Sequence, residues 1–233
     1  MLHYLQNLFQ ALDFSSLADA VLRAAAVFLC LTVHETCHGL AALALGDPTA
    51  KSMHRLSLNP LRHIDWLGLA LMFAAGFGWA KPVPVNPNYF RKPKQGMAIT
   101  ALAGPASNFV LAYVSTIIYS MLFAVAQGKG ESTGLGLALT FFSLLISLNI
   151  GLGIFNLIPF PPLDGSKVLA MFLPDRWYGR WMQLERYGMI VLMAALWFGL
   201  LDGFLMAARN LVLNAMLSGA NFAYLGMLSL LTR

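Results

Sequence analysis

Three ionisable side chains cluster inside one apolar run, His34, Glu35 and His38 in the stretch from Cys30 to Gly39. A charged group near the centre of a spanning helix costs on the order of 2.5 to 3.5 kcal/mol even on lenient insertion scales, so the cluster asks for a reason. Its spacing is H-E-x-x-H. On a helix His34 and His38 stand at i and i+4, project from one face about 6 Å apart, and can share a single zinc ion. Glu35, one position on, sits beside that face and can reach a zinc-bound water without occupying a ligand position. On a soluble helix the same pattern is often solvated surface, but that reading does not account for three such groups in a membrane span.

Two histidines leave tetrahedral zinc short of a third protein ligand. The extended form of the motif fails, because Ala41 and Ala44 stand where Gly and His are needed. The other glutamates, Glu131 and Glu185, fall in an outer Gly-rich loop and a charged connection. Among the other histidines, His3 is terminal and His54 and His63 lie in a basic segment. His63 is the spare ligand to consider, although Arg62-His63-Ile64-Asp65 reads more simply as an interfacial contact. The remaining candidate is Asp164, in Asn156-Leu-Ile-Pro-Phe-Pro-Pro-Leu-Asp164-Gly165. There the prolines stop a helix, Gly165 frees the backbone, and the carboxylate can turn back toward the membrane. One carboxylate with two neutral imidazoles leaves a zinc site net positive, which favours a bound hydroxide.

The elements that must position these groups are set by composition. Of 233 residues 58% are hydrophobic and 11% charged, with mean hydropathy +0.68. Soluble domains carry roughly 25% charged residues, so a water-soluble globule is excluded. Spans of about 20 residues each leave room for four to six membrane segments and no sizeable soluble domain. The expectation is one all-α polytopic membrane unit over 1–233, with a catalytic core at about 17–174 and C-terminal helices at about 188–231. Apolar stretches run over Leu17–Leu45, Ile64–Trp79, Met97–Ala126, Leu135–Ile158 and Gly188–Ala208, and Leu211–Leu231 reads as a weak span or an interfacial helix.

Basic residues mark the cytoplasmic side of short loops. Segment 46–96 carries seven, Lys51, Arg55, Arg62, Lys81, Arg91, Lys92 and Lys94. If Ile64–Trp79 crosses the membrane they divide between both faces; if it dips in and returns, all seven share one. With Lys167, Arg176, Arg180 and Arg186 of the 159–187 connection, eleven of fifteen basic residues then face the cytoplasm. A re-entrant segment is therefore expected, for a total of five to six membrane segments. Its flanks, Thr49–Leu58 and Lys81–Asn86, read as two short strands near the cytoplasmic face, with an edge that a substrate could join. No basic run interleaved with aromatics suggests nucleic-acid binding. Met1–Asp13 lacks the basic region of a cleaved signal peptide. Cys30 and Cys37 lie about 10 Å apart along one helix, cannot pair, and read as small packing residues.

Taken together, these motifs resemble the site-2 protease family of intramembrane zinc metalloproteases, in its compact prokaryotic branch. His34-Glu35-Thr36-Cys37-His38 is similar to the family's zinc motif, and Asn156, Pro159 and Leu163-Asp164-Gly165 to its second motif. Ala103-Gly104-Pro105 with Asn108 looks like its Ala-Gly-Pro element, and Leu58–Asp65 and Gly78–Val85 resemble the compact branch. The resemblance spans roughly residues 30–170. It implies one zinc ion held by His34, His38 and Asp164, with Glu35 as general base, acting on a membrane protein through its transmembrane helix. Asn156 and Asn108 are the intramembrane amides placed to donate to a developing oxyanion; the plainer role for each is helix–helix hydrogen bonding. A prokaryotic plasma membrane with the active site toward the cytoplasm is expected. The rival class is a metal-binding or ion-transporting membrane protein without hydrolytic activity, since intramembrane His, Asp and Glu also mark ion pathways.

Overall fold

The computed structural model describes residues 17–63, 65, 66, 68, 81–130 and 132–231. Eight α-helices occur among them. α1 is Leu17–Ala44, α2 the single turn Thr49–Ser52, α3 Pro93–Lys129 and α4 Thr133–Asn156. After a proline-rich loop come α5 (Asp164–Met171), α6 (Asp175–Gln183), α7 (Glu185–Trp197) and α8 (Asp202–Leu231). Short 3-10 turns cover Pro60–Arg62 and Pro87–Tyr89, each opened by an asparagine cap, Asn59 or Asn86, and a proline.

Among the described residues, four helices are long and apolar enough to cross a membrane, over Asp19–Ala44, Pro93–Gly128, Thr133–Asn156 and Asp202–Leu231. Only a minority of each is buried in protein. Large side chains such as Val110, Ile190, Phe204, Leu211 and Phe222 point outward. An apolar surface of that extent needs lipid, and the molecule is a multi-pass membrane protein.

α3 is the central element and touches α1, α4, α5 and α8. Ala112 of α3 meets Ile146, Ile150 and Ile154 of α4 and Leu205 of α8 in the main apolar cluster. Ala26 and Cys30 of α1 pack on Leu145 of α4 in a second. α8 runs parallel to α3, since Tyr113 Oη donates to the Gly219 carbonyl and Gly128 lies against Leu231. α1 and α4 run opposite to α3, so the C-terminal ends of α1 and α4 share one end of the bundle with the N-terminal end of α3.

The described residues correct the expected strand pair, for they contain no strand. Thr49–Ser52 is a helical turn, and the rest of 53–58 is turn and coil. Segment 81–86 is coil whose bonds go to side chains and loops. The physical reason is Pro82 and Pro84, which remove alternate donors and leave too few N–H groups for a ladder. The expected re-entrant segment 64–79 falls outside the described residues apart from Asp65, Trp66 and Gly68.

The stretch Gly188–Ala208 is not one span. α7, at 13 residues, is too short to cross, and it ends where Gly199 takes a φ of +69°. Leu200 N–H donates to Ala195 O and Gly199 N–H to Leu196 O. That pair is a Schellman stop, for which glycine is the preferred residue. Leu211–Leu231 instead belongs to the 30-residue α8.

Candidate metal centre

His34 and His38 lie one turn apart in the C-terminal half of α1, both buried. Their rings meet edge to face with centroids 4.5 Å apart. They enter the space between α1 and α3, where a matching stripe of α3 receives them. Thr100, Gly104 and Asn108 recur every four residues and so fall on one helical face. His38 Nδ1 lies 2.7 Å from the Thr100 carbonyl and His34 Nδ1 lies 2.5 Å from Asn108 Oδ1. Gly104 between them makes room. A Cβ there would stand 2.4 Å from His38 Cε1 and Nε2 and 2.7 Å from His34 Cε1.

Asp164 is the first residue of α5 and is buried. The preceding loop turns the chain back after α4 and contains a cis Pro161–Pro162 bond. Gly165 lets α5 sit close on that turn, because a Cβ there would come within 2.2 Å of the Leu157 carbonyl oxygen. Asp164 Oδ2 then lies 3.2 Å from His34 Nε2 and 3.1 Å from His38 Nε2, while the two Nε2 atoms are 3.0 Å apart. Lys167 Nζ approaches Asp164 Oδ1 at 3.6 Å.

This triangle fits a metal ion. Ligand atoms on one face of a zinc tetrahedron, at about 2.0 to 2.1 Å from the ion, are about 3.3 Å from one another, close to the separations here. The chemistry of the donors agrees. The Thr100 carbonyl can only accept, so His38 Nδ1 carries the hydrogen and, in the neutral ring, Nε2 presents a lone pair. For His34 the tautomer is set by a buried amide relay. The Leu145 carbonyl accepts from Asn149 Nδ2 at 2.8 Å, which turns Asn149 Oδ1 toward Asn108 Nδ2, 2.6 Å away. Asn108 therefore presents Oδ1 to His34 Nδ1, and His34 Nε2 is also left as a lone pair. Two lone pairs and a carboxylate oxygen converging within hydrogen-bond distance in a buried space require positive charge between them.

The other candidates are placed as follows. Glu35 is half-buried, and its Oε2 accepts the Val83 N–H at 2.8 Å. Asn108 is fully buried with both amide ends engaged, by His34 on one side and by Asn149 and the Cys30 carbonyl on the other. Asn156, at the end of α4, donates to the Leu152 carbonyl and makes no described contact with the three clustered groups. His63 donates to the Ser57 carbonyl at 2.8 Å, as Thr36 does at 3.1 Å, and lies outside the cluster. Cys30 receives the Asn149 amide at 2.9 Å. Asn149 itself was not singled out from sequence. Its signal is an amide inside the apolar α4, seven residues before Asn156 and so on nearly the same face.

The profile of Peptidase family M50 matches residues 120–201, which hold Asn156 and Asp164 but not the His34-Glu35-His38 motif. A Bacillus subtilis protein named "Putative zinc metalloprotease YwhC" is 41% identical over 160 residues, covering 69% of this chain and 73% of that protein. A Mycolicibacterium smegmatis protein named "Putative zinc metalloprotease Rip2" is 27% identical over 171 residues, 71% of this chain and 62% of that protein. No solved structure matches significantly. Given the identity shared with the Bacillus protein across nearly three quarters of its length, this chain belongs to peptidase family M50.

Proposed function

We propose that this chain is a zinc-dependent intramembrane endopeptidase that hydrolyses peptide bonds in or near the transmembrane helices of other membrane proteins. The observation that carries the reading is the convergence of His34 Nε2, His38 Nε2 and Asp164 Oδ2 from α1 and α5 at one buried point. These three would hold the ion, with Thr100 and Asn108 fixing the imidazole tautomers from behind. Zinc bound there would supply Lewis acidity, bringing the pKa of a water toward about 7 and polarising a carbonyl.

Glu35 is the proposed general base. It takes a proton from the attacking water and delivers it to the leaving amine. Asn156 keeps an amide hydrogen beyond the one given to Leu152, and it stands where α4 leads into the loop bearing Asp164. We assign it to the carbonyl oxygen as charge develops there. Asn108, whose amide is committed at both ends, is assigned instead to holding His34.

Ten of the eleven basic residues of 46–96 and 159–187 lie between the spans, and Lys94 in the first turn of α3, at the end of the bundle that carries the site. By the positive-inside rule we place that end at the cytoplasmic face of a prokaryotic plasma membrane. His38 is six residues from the end of α1, about 9 Å along the axis, a depth that water can reach from that face.

The test pairs metal content with fragment mapping. Purified protein is expected to bind one zinc ion and to cut a single-span substrate within or beside its apolar segment, and Asp164→Ala is expected to lose the metal. Full zinc occupancy in Asp164→Ala, or cuts confined to soluble regions remote from the span, would overturn the reading.

A further inference from the structure

Two buried charges have no part in the chemistry above. Asp47 is fully buried and Arg55 nearly so, both in the connection that follows α1. Isolated charges are costly to bury and are found paired or hydrogen-bonded, and both of these spend bonds on one stretch of backbone, 81–86. Arg55 Nη2 donates to the Lys81 carbonyl at 2.8 Å and the Pro82 carbonyl at 3.3 Å. Asp47 Oδ2 accepts the Asn86 N–H at 2.7 Å. Lys81 N–H donates to the His63 carbonyl at 2.9 Å. Between these ties, Val83 gives its N–H to Glu35 Oε2 at 2.8 Å and buries its side chain.

The sequence makes that last bond unambiguous. Pro82 and Pro84 have no N–H, and each holds the residue before it in an extended conformation. Val83 therefore carries the one backbone donor between Lys81 and Val85, and no neighbouring amide can replace it through a slip in register. An untethered glutamate has several rotatable bonds and samples many carboxylate positions. A base misplaced by about 1 Å can lose on the order of a hundredfold in rate.

We propose that 81–86 is a strap that orients the catalytic base. Val83 N–H fixes Glu35 Oε2 and leaves Oε1 to address the water, and Asp47 and Arg55 are positioning residues that hold the strap in place. This rests on the assignment of Glu35 as the base, and the experiment separates the two.

The full chain, loaded with zinc and reconstituted with a single-span substrate, is compared with Glu35→Gln, Val83→Pro, Arg55→Met and Arg55→Lys. Val83→Pro deletes the N–H while keeping the extended backbone. Val83→Pro and Arg55→Met are expected to lower kcat about ten- to a hundredfold, with KM within about twofold and zinc content unchanged, and Arg55→Lys to recover part of the loss. Hydrogen exchange gives a reading without turnover: Glu35→Ala is expected to speed exchange in 81–86, where Val83 is one of few amides. Unchanged exchange overturns the strap, as does a normal kcat in Val83→Pro when Glu35→Gln is inactive. A rise in KM at constant kcat also overturns it, because the segment then serves substrate binding. Normal cleavage by Glu35→Gln overturns the base assignment instead.

Discussion

Asn149→Leu removes a side chain that touches no proposed ligand, yet it is expected to weaken zinc binding. Asn149 Oδ1 is the acceptor for Asn108 Nδ2, and Asn149 Nδ2 is anchored on the Leu145 carbonyl. With leucine of similar volume at 149, the Asn108 amide loses a buried partner, at a cost of about 1 to 3 kcal/mol. It is then free to turn its NH2 toward His34. A donor facing His34 Nδ1 favours the tautomer with hydrogen on Nε2, the atom that must bind metal. Losing such an outer partner typically costs about 10- to 100-fold in metal affinity, or about 1.4 to 2.8 kcal/mol. Competition against a chromophoric chelator measures this directly, with thermal unfolding of the metal-free forms run alongside. Asn108→Leu is expected to weaken binding at least as much, and the double substitution no more than Asn108→Leu alone, since the two residues act in series. Zinc affinity within about twofold of the parent in folded Asn149→Leu protein would refute the relay.

Three further outcomes are expected. Gly104→Ala places a Cβ 2.4 Å from His38 and is expected to abolish zinc binding, whereas Gly151→Ala, which meets nothing within 4 Å, leaves it intact; metal analysis of both proteins checks this. Chelation is expected to stop cleavage and lower the thermal midpoint, and stoichiometric zinc to restore both, because a ligand bound only to the folded state stabilises it by mass action. Asp47 is raised by burial but more strongly lowered by hydrogen bonds from the Thr49 side chain and the Asn86 and Thr49 backbone, leaving its carboxyl below the usual range. Its contribution to stability is therefore full above the ordinary carboxylate value of about 4 and lost as pH falls through the lower folded value. Acid titration of Asp47→Asn against the parent, followed by unfolding midpoint, is expected to show a difference that shrinks only at the acid end.

The candidate ligand cluster was legible because lipid makes polar groups conspicuous. His34, Glu35, His38 and Asp164 stand out from apolar surroundings, and their helical spacing predicts the shared face that α1 presents. Three of the four long spans, those of α1, α3 and α4, were legible for the same reason. What pairs with what across helices was not. Asn108 and Asn156 both read as oxyanion donors from sequence, yet only tertiary packing shows Asn108 turned back on His34 and Asn149. The alternation in Lys81–Asn86 suggested a strand, but an extended backbone forms a ladder only if its donors survive, and the prolines remove them. Gly199 ends α7 with a positive φ that hydropathy does not register, so two helices read as one span.

The central claim, that Glu35 activates water beside a metal held by His34, His38 and Asp164, is tested most directly by one comparison. Purified parent protein and Glu35→Gln, each with measured zinc content, are given the same single-span substrate with and without chelator. The account predicts one zinc ion in both proteins, cleavage by the parent that chelator abolishes and zinc restores, and none by Glu35→Gln under either condition. Cleavage by zinc-loaded Glu35→Gln at the parent's rate, or by the parent after its zinc is removed, would contradict it.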